Sequence, residues 1–306
     1  MSAELDAAGI TDASLRESYL ECRRLNAEHG KTYFLATRLL PLAKRPYVHA
    51  LYGFARYADE IVDDLASTLT PDEKRTWLTS WSAGILDDIR EGRSNDAIGM
   101  ALIDTINRWQ IPHHYFEAFL HSMAMDLTIT EYASYEALSE YVYGSAAVIG
   151  LEMVHILGVT KPHLLEETLV GAKKLGIAFQ LANFIRDVGE DLERGRIYLP
   201  LDELQQFGID KERLQSRRVD REFKDALAFQ INRVRVLQRE AEATITNLTP
   251  QSHGCIKAAS ELYCGIVDEV EKIDYQVFTK RAKTSTYRRL KVALPAWWQM
   301  RRASRL

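Results

Sequence analysis

Apolar positions recur at intervals of three and four along almost the whole 306-residue chain. Leu214, Phe223, Leu227, Ile231, Val234 and Leu237 illustrate the spacing, with charged residues between them. Side chains three and four apart share one face of an α-helix, so the pattern predicts amphipathic helices packed on a common core. No run alternates long enough for a half-buried strand, and no Asn-Gly hairpin turn occurs. Pro41, Pro46, Pro71, Pro112, Pro162, Pro200, Pro250 and Pro295 fall mostly at helix starts or just beyond helix ends. Thr70-Pro71-Asp72-Glu73 predicts a helix N-terminus: Thr caps free amides, Pro occupies the first turn, and the acids face the positive end of the dipole. Thr249-Pro250 and Thr160-Lys161-Pro162 repeat the theme less cleanly. Residues 195–210, with Gly195, Pro200 and Gly208, are the least helical and predict a loop. With no internal repeat, the expectation is one all-α domain over residues 1–306.

Composition agrees. Only 8 Pro and 16 Gly interrupt the chain, and hydrophobic residues make up 46% of it. Cys22, Cys255 and Cys264 form no C-x-x-C pair and read as buried, reduced thiols of a cytoplasmic protein. A net charge of −4 argues against nucleic-acid binding. Residues 1–12 combine acids with small residues, which predicts a disordered start and no secretory signal. No stretch approaches the ~20 consecutive apolar residues that span a bilayer. Residues 275–306 hold nine basic and no acidic residues, and the segment 283–306 includes the pair Trp297-Trp298. Such a tail suits an anionic membrane surface on the cytoplasmic side, or equally a last helix that covers the core with a solvated basic face. His113 and His114, adjacent and so about 100° apart on a helix, read as cap or surface residues and not as a metal pair.

The candidate chemistry lies in two acidic stretches. In Tyr52-Gly-Phe-Ala-Arg56-Tyr-Ala-Asp59-Glu-Ile-Val-Asp63, a helix projects Asp59 and Asp63 from one face, with Arg56 and Tyr52 on the turns before. Like charges at this spacing destabilise a helix unless solvent or a divalent cation offsets them. Alone the pattern is common on surface helices. In the second stretch Asn183, Asp187 and Asp191 stand at i, i+4 and i+8, with Gln180 three residues earlier and Arg186 beside Asp187. Leu181, Ala182, Phe184, Ile185 and Val188 predict a helix buried on most sides, where carboxylates are costly unless paired or metal-bound. Two such helices imply a cavity with metal sites on opposing walls. Asp59, Asp63, Asn183, Asp187 and Asp191 are candidate ligands for Mg²⁺, with Mn²⁺ as substitute. Mg²⁺ takes few carboxylates and accepts substrate phosphates. Arg56 and Arg186 are placed to bind phosphate oxygens bidentately. Such a site can draw off diphosphate and leave an allylic cation, which needs a dry apolar pocket with π faces.

These two blocks resemble those of the squalene/phytoene synthase family of head-to-head prenyl transferases, and the resemblance runs through nearly the whole chain. His29-Gly30-Lys31-Thr32-Tyr33-Phe34 is similar to the family's N-terminal His-Ser-Lys-Ser-Phe segment, which folds over the diphosphate, with Gly30 and Thr32 in place of the serines. Tyr52, Arg56, Asp59 and Asp63 fall on the first family motif. Gln180, Asn183, Arg186, Asp187 and Asp191 fall on the second, followed by Arg194-Gly-Arg196-Ile-Tyr198-Leu-Pro200. Tyr263 and residues 268–278 resemble the last core helix, and Lys280 stands where the family usually has Arg, with Arg281 next to it. Tyr141-Val-Tyr-Gly144-Ser145-Ala-Ala147-Val-Ile-Gly150 resembles the cavity-lining helix of bacterial phytoene-forming members, actinobacterial ones especially. There Gly144, Ala147 and Gly150 would leave room for a long chain or let helices pack closely.

The resemblance implies an isoprenoid synthase-type helical bundle around a central cavity. It implies catalytic roles for Asp59, Asp63, Asp187, Asp191, Tyr52 and Tyr263. Diphosphate binding would fall to Lys31, Thr32, Arg56, Gln180, Asn183, Arg186, Lys280 and Arg281. The implied substrate is geranylgeranyl diphosphate, two per turnover, joined through prephytoene diphosphate to phytoene in carotenoid biosynthesis. Farnesyl diphosphate, giving presqualene diphosphate or squalene-type products, is the nearest alternative. A non-catalytic helical scaffold is a further one, though all five candidate metal ligands are intact. No Gly-rich nicotinamide loop is present, and no NADPH requirement is expected.

Overall fold

The computed structural model describes residues 2–63, 70–285, 288, 291, 292 and 295, leaving out the side chains of residues 2, 60–63 and 71. The chain forms, in order, α1 (Ser2–Ala7), α2 (Ala13–His29), α3 (Lys31–Thr37), α4 (Arg45–Asp63), α5 (Pro71–Glu91), α6 (Gly99–Trp109) and α7 (His113–Met125). There follow α8 (Tyr135–Val142), a π-helical turn (Tyr143–Ala147), α9 (Val148–Leu157), the long α10 (Leu165–Glu193), α11 (Leu201–Gln206) and α12 (Lys211–Gln215). The last are α13 (Arg221–Glu242), α14 (Pro250–Tyr263) and α15 (Ile266–Lys272). No strand occurs among the described residues beyond two isolated bridges, Glu131 with Ile197 and Val159 with Leu248. The fold is all-α.

The predicted helix start at Thr70 is a full capping box: the Thr70 hydroxyl accepts from the Glu73 amide while the Glu73 carboxylate accepts from the Thr70 amide. Thr249 precedes α14 but its hydroxyl accepts no capping amide; it donates to the Leu157 carbonyl at 2.7 Å. Pro162 opens a 3₁₀ turn that leads into α10. The loop expected over 195–210 is interrupted by α11, which begins directly after Pro200, a residue pre-set for a helix entry.

The expected disorder of residues 1–12 is also corrected. Residues 2–7 form α1, and Leu5, Ala8 and Ile10 are buried. Glu4 binds Arg23 at 3.2 Å and Arg45 at 3.1 Å, so apolar burial and a half-buried ion cluster hold the segment on α2 and α4.

The core has two apolar parts, one built mainly by α1–α7 and α9 with Cys255 and Ala258 of α14, the other by α8, α10–α13 and α15. Ile256 on α14 packs against both. Helices α9 and α10 join the halves by backbone approach. A Cβ on Gly150 would lie 2.4 Å from the Ala172 carbonyl oxygen, and one on Gly176 2.5 Å from that of Ala146. Gly144 faces neither a chain nor the cavity but the Ala118 carbonyl of α7, which a Cβ would meet at 2.0 Å. These glycines serve helix contact, and Gly150 and Gly176 also line the cavity between the halves.

Candidate active site

Between the two core halves lies an apolar cavity of about 240 Å³. Its walls come from α3, α4, α9, α10 and α14 together with the π-helical turn, through residues such as Val48, Ile149, Met153, Leu175 and Ile256. The π turn is one of the few devices that re-aims side chains within a continuous helix. Here it brings Ser145 and Ala146 into the lining.

At one end of this cavity four aromatic rings meet. Tyr33 lies 5.3 Å from Tyr52, and Tyr263 stacks on Phe179 at 4.8 Å, with Tyr33, Tyr263 and Phe179 in the lining. The Tyr33 hydroxyl donates to the Met153 sulfur at 3.5 Å. Burial pushes the Tyr33 pKa well above the usual tyrosine range, so the hydroxyl stays neutral. Gly30 has a physical reason here. A Cβ at this position would sit 2.7 Å from the Tyr52 ring and 2.6 Å from Asn26 Oδ1, so the ring occupies the space a serine would need. Thr32 is half-buried and Lys31 exposed in the first turn of α3, beside this aromatic end.

Both acidic faces stand about two turns beyond these rings. On α4, Asp59 follows Tyr52, and Arg56 Nη1 donates to Asp59 Oδ2 at 2.7 Å. Asp63 is the last residue of α4, and its side chain lies outside the described residues. On α10, Gln180 and Asn183 are half-buried next to Phe179, and Asp187 and Asp191 continue the stripe. Arg186 holds the Asp187 carboxylate through both oxygens, using Nε at 2.7 Å and Nη2. Burial, the largest single influence, disfavours the Arg186 charge, but the Asp187 hydrogen bonds together with the charges of Asp187 and Glu190 raise the guanidinium pKa. Arg281 reaches the same carboxylate at 3.2 Å and Glu190 at 3.0 Å. Lys280 is exposed and makes no ion pair among the described residues, so of the two basic residues Arg281 is the one brought to the acidic face.

Asp191 lies further along the same face. Burial, and secondarily the charge of Asp187, push its pKa up to about 7, against the opposing pull of Arg194 and Arg196. Among the described residues no three His, Cys, Asp or Glu side chains converge on one point. The α10 donors, two carboxylates and the Asn183 amide in register on one face, nonetheless fit a hard cation that takes its other ligands from water and phosphate.

Three comparisons bear on this geometry. The profile of the squalene/phytoene synthase family matches residues 26–288. The chain belongs to the squalene/phytoene synthase family. It is 35% identical over 290 residues to a phytoene synthase of Arthrospira platensis, covering 92% of each chain. A 15-cis-phytoene synthase of Synechococcus elongatus is likewise 35% identical, over 91% of this chain and 92% of its own. Among solved structures, a dehydrosqualene synthase superposes with a TM-score of 0.83 at 25% identity, over 94% of this chain and 98% of its own. The squalene synthase of Alicyclobacillus acidocaldarius, at 23% identity and a TM-score of 0.78, shares the fold. The enzyme is therefore a prenyltransferase of this family, which acts on prenyl diphosphates.

Within this synthase, the motif reading passed over Phe179, which stands four residues before Asn183 and so one turn along the same face. It also passed over Glu152 on α9, which is fully buried with both oxygens unpartnered among the described residues. Spacing could have found the first; nothing local in the sequence marks the second.

Proposed function

We propose that this synthase joins two molecules of geranylgeranyl diphosphate head to head, first to the cyclopropyl intermediate prephytoene diphosphate and then to phytoene. The reading is carried by one observation: an apolar cavity whose aromatic end lies beside two acid-and-arginine helix faces. The kinship with phytoene synthases over nine-tenths of the chain supports it.

Asp59 and Asp63 on α4, with Asn183, Asp187 and Asp191 on α10, would hold Mg²⁺. When bound, Mg²⁺ stabilises the negative charge that develops on departing diphosphate. Arg56, Arg186 and Arg281 donate to diphosphate oxygens, exchanging their present carboxylate partners for them in part. Lys31, Thr32, Gln180 and Lys280 complete the polar end. The cation left by the first ionisation attacks the C2–C3 double bond of the second substrate, and loss of a proton closes the cyclopropane. A second ionisation, rearrangement and proton loss give the hydrocarbon. Tyr33, Tyr52, Phe179 and Tyr263 offer ring faces to these cations and exclude water from them. No hydride enters this sequence, so no NADPH is consumed.

The basic C-terminal segment would place the enzyme on the anionic inner face of the cytoplasmic membrane, into which a C40 product can pass. Trp297 and Trp298 lie outside the described residues. No helix among the described residues is long and apolar enough to cross a membrane. Removal of residues 295–306 should abolish sedimentation with liposomes containing anionic lipid; unchanged sedimentation would end the tail's part.

The deciding experiment supplies purified enzyme and Mg²⁺ with geranylgeranyl or farnesyl diphosphate, with and without NADPH, and identifies the hydrocarbon. A C40 product without NADPH is expected. A C30 product would move the enzyme towards the dehydrosqualene synthase whose structure it resembles. No hydrocarbon from either would restore the scaffold reading.

A further inference from the structure

Beyond α10 the chain turns at Gly195 (φ 73°) and residues 196–202 run back as a strap over residues 130–133. The Ile197 amide donates to the Thr130 carbonyl at 2.7 Å, and those of Leu201 and Asp202 donate to Tyr132 and Ala133 at 3.0 Å each. Under the strap, at the end of α7, lies Asp126, its side chain only 8% exposed. Its Oδ2 accepts from the Tyr141 hydroxyl at 2.7 Å and its Oδ1 from the Tyr198 hydroxyl at 3.0 Å. Arg196 donates to the Tyr198 hydroxyl and to the Asp126 carbonyl, both at 3.1 Å. Burial, and then the Asp126 charge, push the Tyr141 and Tyr198 pKa values up, so both hydroxyls remain donors.

This cluster ends on the acidic face of α10. The Tyr198 ring lies flat on Phe184 at 4.2 Å with 5° between the planes, and Phe184 stands between Asn183 and Asp187. The Arg196 amide donates to the Asp191 carbonyl at 2.8 Å. Resting on the reading that this face binds a divalent cation with diphosphate, we propose that Asp126 is a positioning residue that fixes the Tyr198–Phe184 stack and Arg196 against the ligands of α10. A buried charge of this kind is often replaceable by apolar packing without loss of stability, so its yield is fixed geometry. Groups that orient metal ligands from behind typically change metal affinity or activity by about 10–100-fold when altered.

The test compares wild type, Asp126→Asn, Tyr198→Phe and a control, Glu203→Gln, whose buried ion pair with Arg233 lies next to the strap but touches no proposed ligand. Mn²⁺ binding is titrated by electron paramagnetic resonance in the presence of inorganic diphosphate, alongside hydrocarbon turnover and thermal melting. Asp126→Asn should weaken Mn²⁺ binding and turnover each by about 10–100-fold. Tyr198→Phe, which keeps the stack, should shift both in the same direction by less, while Glu203→Gln should lower only the melting temperature. Wild-type Mn²⁺ affinity in Asp126→Asn or, should that variant not fold, in Tyr198→Phe overturns the assignment. A wild-type protein that neither binds Mn²⁺ beside diphosphate nor turns over prenyl diphosphates brings down the underlying reading as well. Unaltered variants beside an active wild type bring down only the role of Asp126.

Discussion

Asp187 and Glu152 sit on helices that pack against each other, α10 and α9, and their surroundings treat them in opposite ways. Asp187 is held by Arg186 and Arg281. Glu152 is fully buried without a partner among the described residues, and burial pushes its pKa well above the usual carboxylate range. Its neighbours Ile149 and Met153 line the cavity, so this wall stays uncharged although it contains an acid. The difference separates two tasks. On the proposed reading, charge is concentrated on the faces where diphosphate would leave, and kept off the wall along which a hydrocarbon chain would lie. An unpaired buried charge costs several kcal/mol, which a proton removes and a pair of arginines offsets.

The largest effects should come from removing charge where it is used. Asp187→Asn and Asp59→Asn should each lower turnover by about 100-fold or more, with unchanged far-ultraviolet circular dichroism. Near-normal turnover in either would remove that residue from the site. Arg281→Ala should cost about 10-fold or more in kcat/KM, in the range for a hydrogen bond to a charged group, and Lys280→Ala much less. Equal losses would mean that the exposed Lys280 also reaches the diphosphate when substrate is bound.

Glu152→Gln sharpens the comparison from the other side and acts on stability. The folded-state pKa of Glu152 lies above its unfolded value of 4.5, so the unfolded chain ionises first as pH rises. The folded state is then penalised by about 1.4 kcal/mol for each pH unit above 4.5 until its own pKa is reached. Glu152→Gln should therefore raise the melting temperature more at pH 8 than at pH 5, with turnover close to wild type. A gain equal at both values would show that Glu152 is not held neutral by the fold.

Much of this architecture could be read before any coordinates. Phe223, Leu227, Ile231 and Val234 are buried along α13 as their period of three and four requires, and Thr70 and Glu73 form the capping box their order predicts. Both acidic stretches lie on helices, Arg56 pairs with Asp59, and the three cysteines are free and buried. The misreadings share a cause. Residues 2–7 look polar and short, but they are held by Arg23 and Arg45 from other helices. For Gly144 the sequence left cavity space and close helix packing open, and the Ala118 carbonyl decides for packing. Thr249 looks like a cap, yet its hydroxyl serves Leu157.

By itself the sequence determined where helices form, where several of them begin, and which faces carry acids. Those properties depend on residues three or four apart, and a helix brings such residues together whatever surrounds it. Only the tertiary structure decided that Arg281 rather than Lys280 meets Asp187, that Tyr52 leaves no room for a side chain at Gly30, and that Glu152 finds no partner among the described residues. Each of these depends on which distant segment fills the neighbouring space. Burial then sets the cost of every charge that no neighbour offsets.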